Sequence, residues 1–293
     1  MARSLNGIPR VDLHHLGPVS VEVISPSMEL LARLNMASDA VETLWNETNS
    51  TRRTPLVNNR IACMASWEKQ PCRQQDDPDN SSRVRTSLYA GLECAHLNVV
   101  FLPYKFFNAH RLAPSLGLAI QPVAVSGLTL YGSPQEPKVL LAKRGPEVTQ
   151  YPEHWECVPS GSLDEPLPDT SAREGATLID PSRQILRELQ EETKTVLPDL
   201  SSRNTLPDIH PFSLLFDRSC DTFDIGCLIS FDWTPKSLLS HGNTALPNSE
   251  YSDFKLLTPS QAEAFLDAPE RAVVPVSQSL MRAWMERHMD DTI

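Results

Sequence analysis

At 293 residues the chain is long enough for one large domain or two modest ones, and its 40% hydrophobic and 22% charged residues are ordinary values for a soluble globular protein. The balance of 26 basic against 37 acidic side chains gives a net charge of −11, which argues against a long nucleic acid as partner, because gripping a polyphosphate backbone normally takes a basic surface. No apolar run approaches the ~18–20 residues that span a bilayer, and the first ten residues lack the apolar core of a secretory signal, so the chain is expected in the cytoplasm with no membrane contact.

In chain order, Val19 to Ile24 alternates with period two and predicts a strand. Ser38-Asp39 precedes a predicted helix over Ala40–Glu47, with Val41, Leu44 and Trp45 on its apolar side. Gln70–Arg83 is dense in Asp, Asn, Pro and Gln and reads as an exposed loop, and Val84–Arg111 is too irregular to assign. Pro114-Ser115-Leu116-Gly117 marks the expected boundary between an N-terminal domain, residues 1–114, and a second domain, 115–293. In the second, Ile120–Leu130 and Val139–Ala142 predict a hairpin, and His154–Val158 a short strand running into Pro159-Ser160-Gly161. A Pro-rich loop follows from Pro166 to Gly175, and Asp180-Pro181 supply an N-cap and first-turn proline for a helix to about Thr195. Strands are predicted at Phe212–Phe216, Phe223–Phe231 and Phe254–Leu257, with a closing helix over Val276–Arg287. Strands mixed with two substantial helices suggest a sheet covered on both sides.

The six cysteines (Cys63, Cys72, Cys94, Cys157, Cys220, Cys227) include no C-x-x-C pair, which argues against a zinc site and for reduced thiols. The sequons at Asn46, Asn49 and Asn80 carry meaning only in an exported chain.

The informative segment is Arg187-Glu188-Leu189-Gln190-Glu191-Glu192. On a helix Glu191, Glu188 and Glu192 lie at about −60°, 0° and +40°, while Ile185, Val196, Leu189 and Leu186 fall at about 60° to 160°. An apolar stripe thus borders a patch of three carboxylates. Like charges at this spacing destabilise a helix slightly, so a site that keeps them together usually offsets the repulsion with a cation. Hard divalent ions such as Mg²⁺ favour carboxylate oxygens and bridge phosphates, polarise a phosphoryl group and activate water. Such a site suits cleavage of a diphosphate, where charge builds on non-bridging oxygens. The ordinary reading of E-x-x-E-E alone is a solvated acidic face. The longer pattern, Arg-Glu-apolar-x-Glu-Glu, should arise by chance in on the order of one chain in a thousand.

Residues Arg187 to Glu192 resemble the heart of the Nudix box, G-x5-E-x7-R-E-U-x-E-E-x-G-U, and His154-Trp155-Glu156-Cys157-Val158-Pro159-Ser160-Gly161 resembles that family's W-E-x-P-G-G approach. The resemblance implies an α/β/α sandwich with a mixed sheet, here preceded by a smaller α+β domain. It also implies a Mg²⁺ (or Mn²⁺) site on the box helix, and hydrolysis of a nucleoside diphosphate linked to another moiety. Gly161 to Arg187 spans 26 positions, an insertion relative to the motif; the early acid is replaced by Ile179 and the closing Gly by Lys194. A long loop before a box lacking the early Glu is similar to the UDP-glucose pyrophosphatase branch. Asp39–Glu47 resembles that branch's early helix, and Pro103-Tyr104-Lys105-Phe106-Phe107 its T-S-Y-R-x-F stretch.

The resemblance assigns Glu188, Glu191 and Glu192 to the metal, Arg187 and Glu191 to catalysis, and Tyr104, Lys105 and Gly161 to a small nucleotide-diphosphate substrate. Arg187 either contacts phosphate or steadies the carboxylates of its own helix. Glu250 is either a further catalytic acid, orienting water or holding a second metal, or an ordinary surface Glu. Tyr104 and Lys105 read otherwise as a packed ring and a solvated amine, and Lys143-Arg144 either meets a phosphate or presents two exposed cations at a strand end. ADP-ribose or another dinucleotide is the alternative substrate, and a catalytically silent nucleotide- or protein-binding module the alternative outside enzymology. The oligomeric state is open.

Overall fold

The computed structural model describes residues 11–52, 55–71, 93–148, 150–165, 178–193, 207–234, 250–268 and 271–290. Of the expected loop over 70–83, Gln70 and Pro71 pair in a strand instead; its remainder, the expected loop over 166–175 and the helix end past 193 lie outside these residues. The fold is mixed α/β, built on two sheets.

The larger sheet runs in the order β1 (Val11–Leu16), β10 (Asp208–Asp217), β11 (Thr222–Phe231), β5 (Val123–Tyr131), β6 (Lys138–Arg144), β12 (Tyr251–Leu257). Short strands β7 (Trp155–Cys157) and β8 (Ser160–Ser162) pair with β6 and β5 where those two diverge. β11 and β5 run parallel, with Asp224 opposite Ala124, and the other pairs are antiparallel, so the sheet is mixed as expected. The smaller sheet has the order β3 (Arg60–Pro71), β4 (Glu93–Pro103), β2 (Val19–Val23), β9 (Leu178–Ile179).

Helices fill the outer layers. Phe107 and Val41, from α2 (Tyr104–Leu112) and α1 (Met28–Ser50), cluster with Ile61, Val100 and Leu102 on one face of the smaller sheet. The other face supplies Leu97, Val99 and Phe101 to a core shared with Val125 and Ile225 of the larger sheet and with Ile185 and Leu189 of α3 (Pro181–Thr193). The far face of the larger sheet, through Leu128 and Leu141, meets Phe265 of α4 (Pro259–Asp267) and Met281 and Trp284 of α5 (Pro275–Asp290). Across the expected boundary at residue 114, strands are exchanged in both directions: β1 joins the larger sheet through β10, and β9 joins the smaller one through β2.

Several elements depart from the sequence expectation. α1 starts at Met28 because Ser27 caps it, its hydroxyl accepting from the Leu30 amide at 3.1 Å, and Leu34, Ala37 and Val41 continue the apolar face. Ser38-Asp39 therefore lies inside the helix rather than at its start. The unassigned run over 84–111 contains β4 and most of α2. β4 is buried on both faces over Val99–Leu102, which erases period-two alternation. α4 was not expected.

Candidate active site around helix α3

Asp180 accepts from the Ser182 amide at 2.9 Å and starts α3 where the sequence places it. Ile185 and Leu189 are fully buried, and this anchoring fixes the rotation of the helix. Glu188 and Glu192 consequently face β8, where a Cβ on Gly161 would lie 2.6 Å from Cδ of Glu188. Only a residue without a side chain lets that carboxylate approach the strand so closely.

Each carboxylate has distinct partners. Gln184 donates to Glu188. Glu192 accepts from the Tyr251 hydroxyl at 2.8 Å and from the Ser160 amide at 3.3 and 3.4 Å. Arg187 spreads its guanidinium over Asp164 at 2.9 Å, Glu188 at 3.6 Å and Glu191 at 3.9 Å, steadying the acids of its own helix. The Glu191 side chain is 66% exposed, apart from the buried pair.

Two further acids complete the group. Glu156 on β7, 3% exposed, accepts from Arg144 at 2.5 Å and from the Ser160 hydroxyl at 3.4 Å. Arg144 also lies 3.3 Å from Glu250. Arg144 is therefore held inside a carboxylate network, not exposed at a strand end. Lys105 pairs with Glu42. Tyr104 packs edge-on against Trp45 and Phe107, and its hydroxyl pKa is raised by burial.

Crowding of buried acids raises their proton affinity. Burial first, then Glu191 and Asp164, push Glu188 up to about 7 against the pull of Arg187. Glu192 is driven well above the usual carboxylate range by burial and by Glu250, with Glu156 and Glu188 adding to it. Burial also raises Glu156. Concentrated negative charge of this kind is relieved either by protons or by a metal.

Among the described residues, no three His, Cys, Asp or Glu side chains gather at metal-ligand spacing. Mg²⁺ does not require that, because it commonly takes one or two carboxylates and fills its octahedron with water and substrate phosphate. Glu188 and Glu192 fit such a donor set: hard oxygen ligands, seated against backbone that only glycine permits at position 161.

A cavity of about 1290 Å³ adjoins this group. Its wall includes Ser160 and Gly161, Glu156, Arg144 and Glu250, and it extends to Tyr104 and Phe107 of α2. Glu188 and Glu192 stand behind Ser160 and Gly161 rather than on the wall itself, and Lys105 does not line it. Sequence reasoning did not assign Asp164, Arg144 or Tyr251 to the site. The signal for Asp164 and Tyr251 is only their place in the fold, whereas Glu156 stood within the quoted Trp155-Glu156 stretch.

No helix among the described residues is long and apolar enough to cross a membrane. Cys63, Cys94, Cys157, Cys220 and Cys227 are free thiols, and Cys72 lies outside the described residues.

No protein-family model and no curated protein matches the chain. Solved structures overlap it weakly. The Nudix domain of NrtR from Shewanella oneidensis, complexed with ADP ribose, is 14% identical, with 57% of this chain and 88% of that one covered at a TM-score of 0.33. A Nudix hydrolase from Alicyclobacillus acidocaldarius is 13% identical, covering 57% and 91% at 0.35. A MutT protein from Methanosarcina mazei Go1 is 15% identical, covering 59% and 95% at 0.34. Overlap at this level assigns neither family nor activity.

Proposed function

We propose that the chain is a Nudix-type, metal-dependent hydrolase of a diphosphate linkage in a small nucleotide conjugate. The observation that carries this reading is the seating of Glu188 and Glu192 on one face of α3 against Ser160 and Gly161, beside a cavity wide enough for a nucleotide. Glu188 and Glu192 would hold Mg²⁺ or Mn²⁺. When bound, the ion supplies Lewis-acid polarisation of the phosphoryl oxygens and activation of water.

The remaining roles belong to the chain. Tyr251 and the Ser160 amide orient Glu192. Arg187 pairs with both Glu188 and Glu191 and screens their mutual repulsion. Glu250 is 41% exposed at the cavity wall, where its carboxylate can take a proton from an incoming water. Arg144 limits its reach by pairing with it. Tyr104 and Phe107, at the far end of the cavity, offer apolar surface to a base.

The resemblance of the long-loop box to the UDP-glucose pyrophosphatase branch selects UDP-glucose and UDP-galactose as first substrates, with UMP and a sugar 1-phosphate as products. ADP-ribose is the competing substrate. Full-length protein is expected to release UMP from UDP-glucose with Mg²⁺ present, and more slowly to cleave ADP-ribose. Undiminished activity in excess chelator would overturn the metal chemistry. A higher kcat/KM for ADP-ribose would overturn the uridine preference alone.

A further inference from the structure

One buried acid on the cavity wall has no role in the network around α3. Asp224 on β11 is 7% exposed, and among the described residues it is the one buried carboxylate with an oxygen, Oδ1, that lacks a hydrogen-bond partner. Ser126 on β5, itself 5% exposed, lies beside the same carboxyl and lowers its pKa. Both line the cavity. A buried polar atom left unbonded costs about 1–3 kcal/mol, and its residue lines the cavity, so a ligand there that supplies the missing donor recovers that cost.

Position and charge narrow that ligand. Ser126 is opposite Ser160 across β5 and β8, and Asp224 lies on the other flank of β5, opposite Ala124. Two strand spacings across and two residues along, roughly 12 Å in all, thus separate Asp224 from the serine that touches Glu192. A sugar ring joined to a diphosphate at that serine reaches this distance. Five side chains of the cavity wall are acidic (Asp224, Asp217, Glu147, Glu156 and Glu250), against the guanidiniums of Arg52 and Arg144, the latter already held by Glu156 and Glu250. Around Asp224 such a wall favours hydrogen bonds from neutral hydroxyls over anionic groups, leaving the diphosphate to the metal that Glu188 and Glu192 would hold.

We propose that Asp224, supported by Ser126, is a specificity-determining residue that accepts a hydrogen bond from a hydroxyl of the sugar ring attached to the diphosphate. This rests on the diphosphatase reading above. The ring is either the distal sugar or the ribose of the nucleoside, and the ligands tested separate the two.

The test is calorimetric titration of the full chain and of Asp224→Ala with UDP-glucose, ADP-ribose, UDP and pyrophosphate. Ca²⁺ replaces Mg²⁺, so that binding proceeds while hydrolysis is slow. Wild-type protein should bind the conjugates more tightly than pyrophosphate. Asp224→Ala should weaken the conjugates about tenfold and leave pyrophosphate unchanged, as loss of one hydrogen bond predicts. A loss confined to the conjugates assigns the distal sugar, and an equal loss for UDP assigns the nucleoside ribose. Asp224→Asn, which keeps an acceptor oxygen, should recover most of the affinity. Asp224→Ser, polar but too short to reach, replaces the alanine variant if that does not fold. An unchanged ratio of conjugate to pyrophosphate affinity in the variant overturns this assignment alone. Failure of wild-type protein to bind either conjugate overturns it together with the diphosphatase reading.

Discussion

Replacing Gly161 with alanine separates the site from the fold. The added methyl would lie 2.6 Å from Cδ, 2.8 Å from Oε2 and 3.0 Å from Cγ of Glu188. Carbon atoms in contact normally keep about 3.5–4.0 Å apart, so one of the two groups must yield by roughly 1 Å. The strand is pinned on both sides of the glycine, by Ser160 and Ser162 opposite Ser126 and Ala124. The Glu188 side chain ends in rotatable bonds, so the carboxylate moves. Because the displaced atoms are the far end of a flexible chain, the stability cost should sit at or below the ~1 kcal/mol lower end for overpacking. A misplacement of about 1 Å in a reacting constellation costs on the order of 100-fold in rate. Thermal denaturation alongside metal-dependent turnover should therefore show a small change in Tm and a collapse of kcat/KM. In a double-mutant cycle with Glu188→Gln the two losses should fail to add, since both act through one carboxylate. Near wild-type turnover in Gly161→Ala would refute the role given to Glu188.

Three other outcomes are expected. Glu188→Gln or Glu192→Gln should lower turnover at least ~100-fold through lost electrostatic stabilisation while Tm holds or rises, because a buried repelling charge is removed; normal turnover in both would move the site elsewhere. Asp224 has its pKa raised by burial from 3.8 to about 7, so the folded state holds its proton more tightly than the unfolded one. Stability should then fall as pH rises from about 4 to 7 and stay low above it, by up to a few kcal/mol, and Asp224→Asn should flatten that slope in urea titrations; an unaltered slope would contradict it. Asp180→Ala removes the acceptor for the Ser182 amide and should cost about 1 kcal/mol, read as a drop in Tm that a Ser at this position largely restores; an unchanged Tm would dismiss the cap.

Much of this protein is local and therefore legible in its sequence. The box helix is one such element: its start needs only Asp180 and Pro181, and its apolar stripe and carboxylate patch follow from the helical period within one segment. The hairpin β5–β6 and the strands β10, β11 and β12 are likewise announced by short-range pattern. α4 carries a readable local signal in the capping box of Thr258 and Gln261 with Pro259 behind it. α1 carried one too, in Ser27, outweighed by the polar pair Ser38-Asp39 that a helix accepts on its exposed side.

Other features are settled only when distant segments meet. β4 loses its alternation because helices cover one face and the larger sheet the other, a fact about neighbours rather than about β4. No window of sequence joins β1 to β10 or β9 to β2. The same holds at the site, where Glu192 meets Tyr251 from 59 positions away and Arg187 meets Asp164 from 23. The sequence by itself determined which carboxylates share a helix face, because helical geometry fixes neighbours three and four residues apart. Which of them is buried, which is left with Arg187 in solvent, and that Asp224 has an unfilled oxygen on a cavity wall were decided by tertiary structure, since burial and hydrogen-bond saturation depend on what the rest of the chain brings alongside.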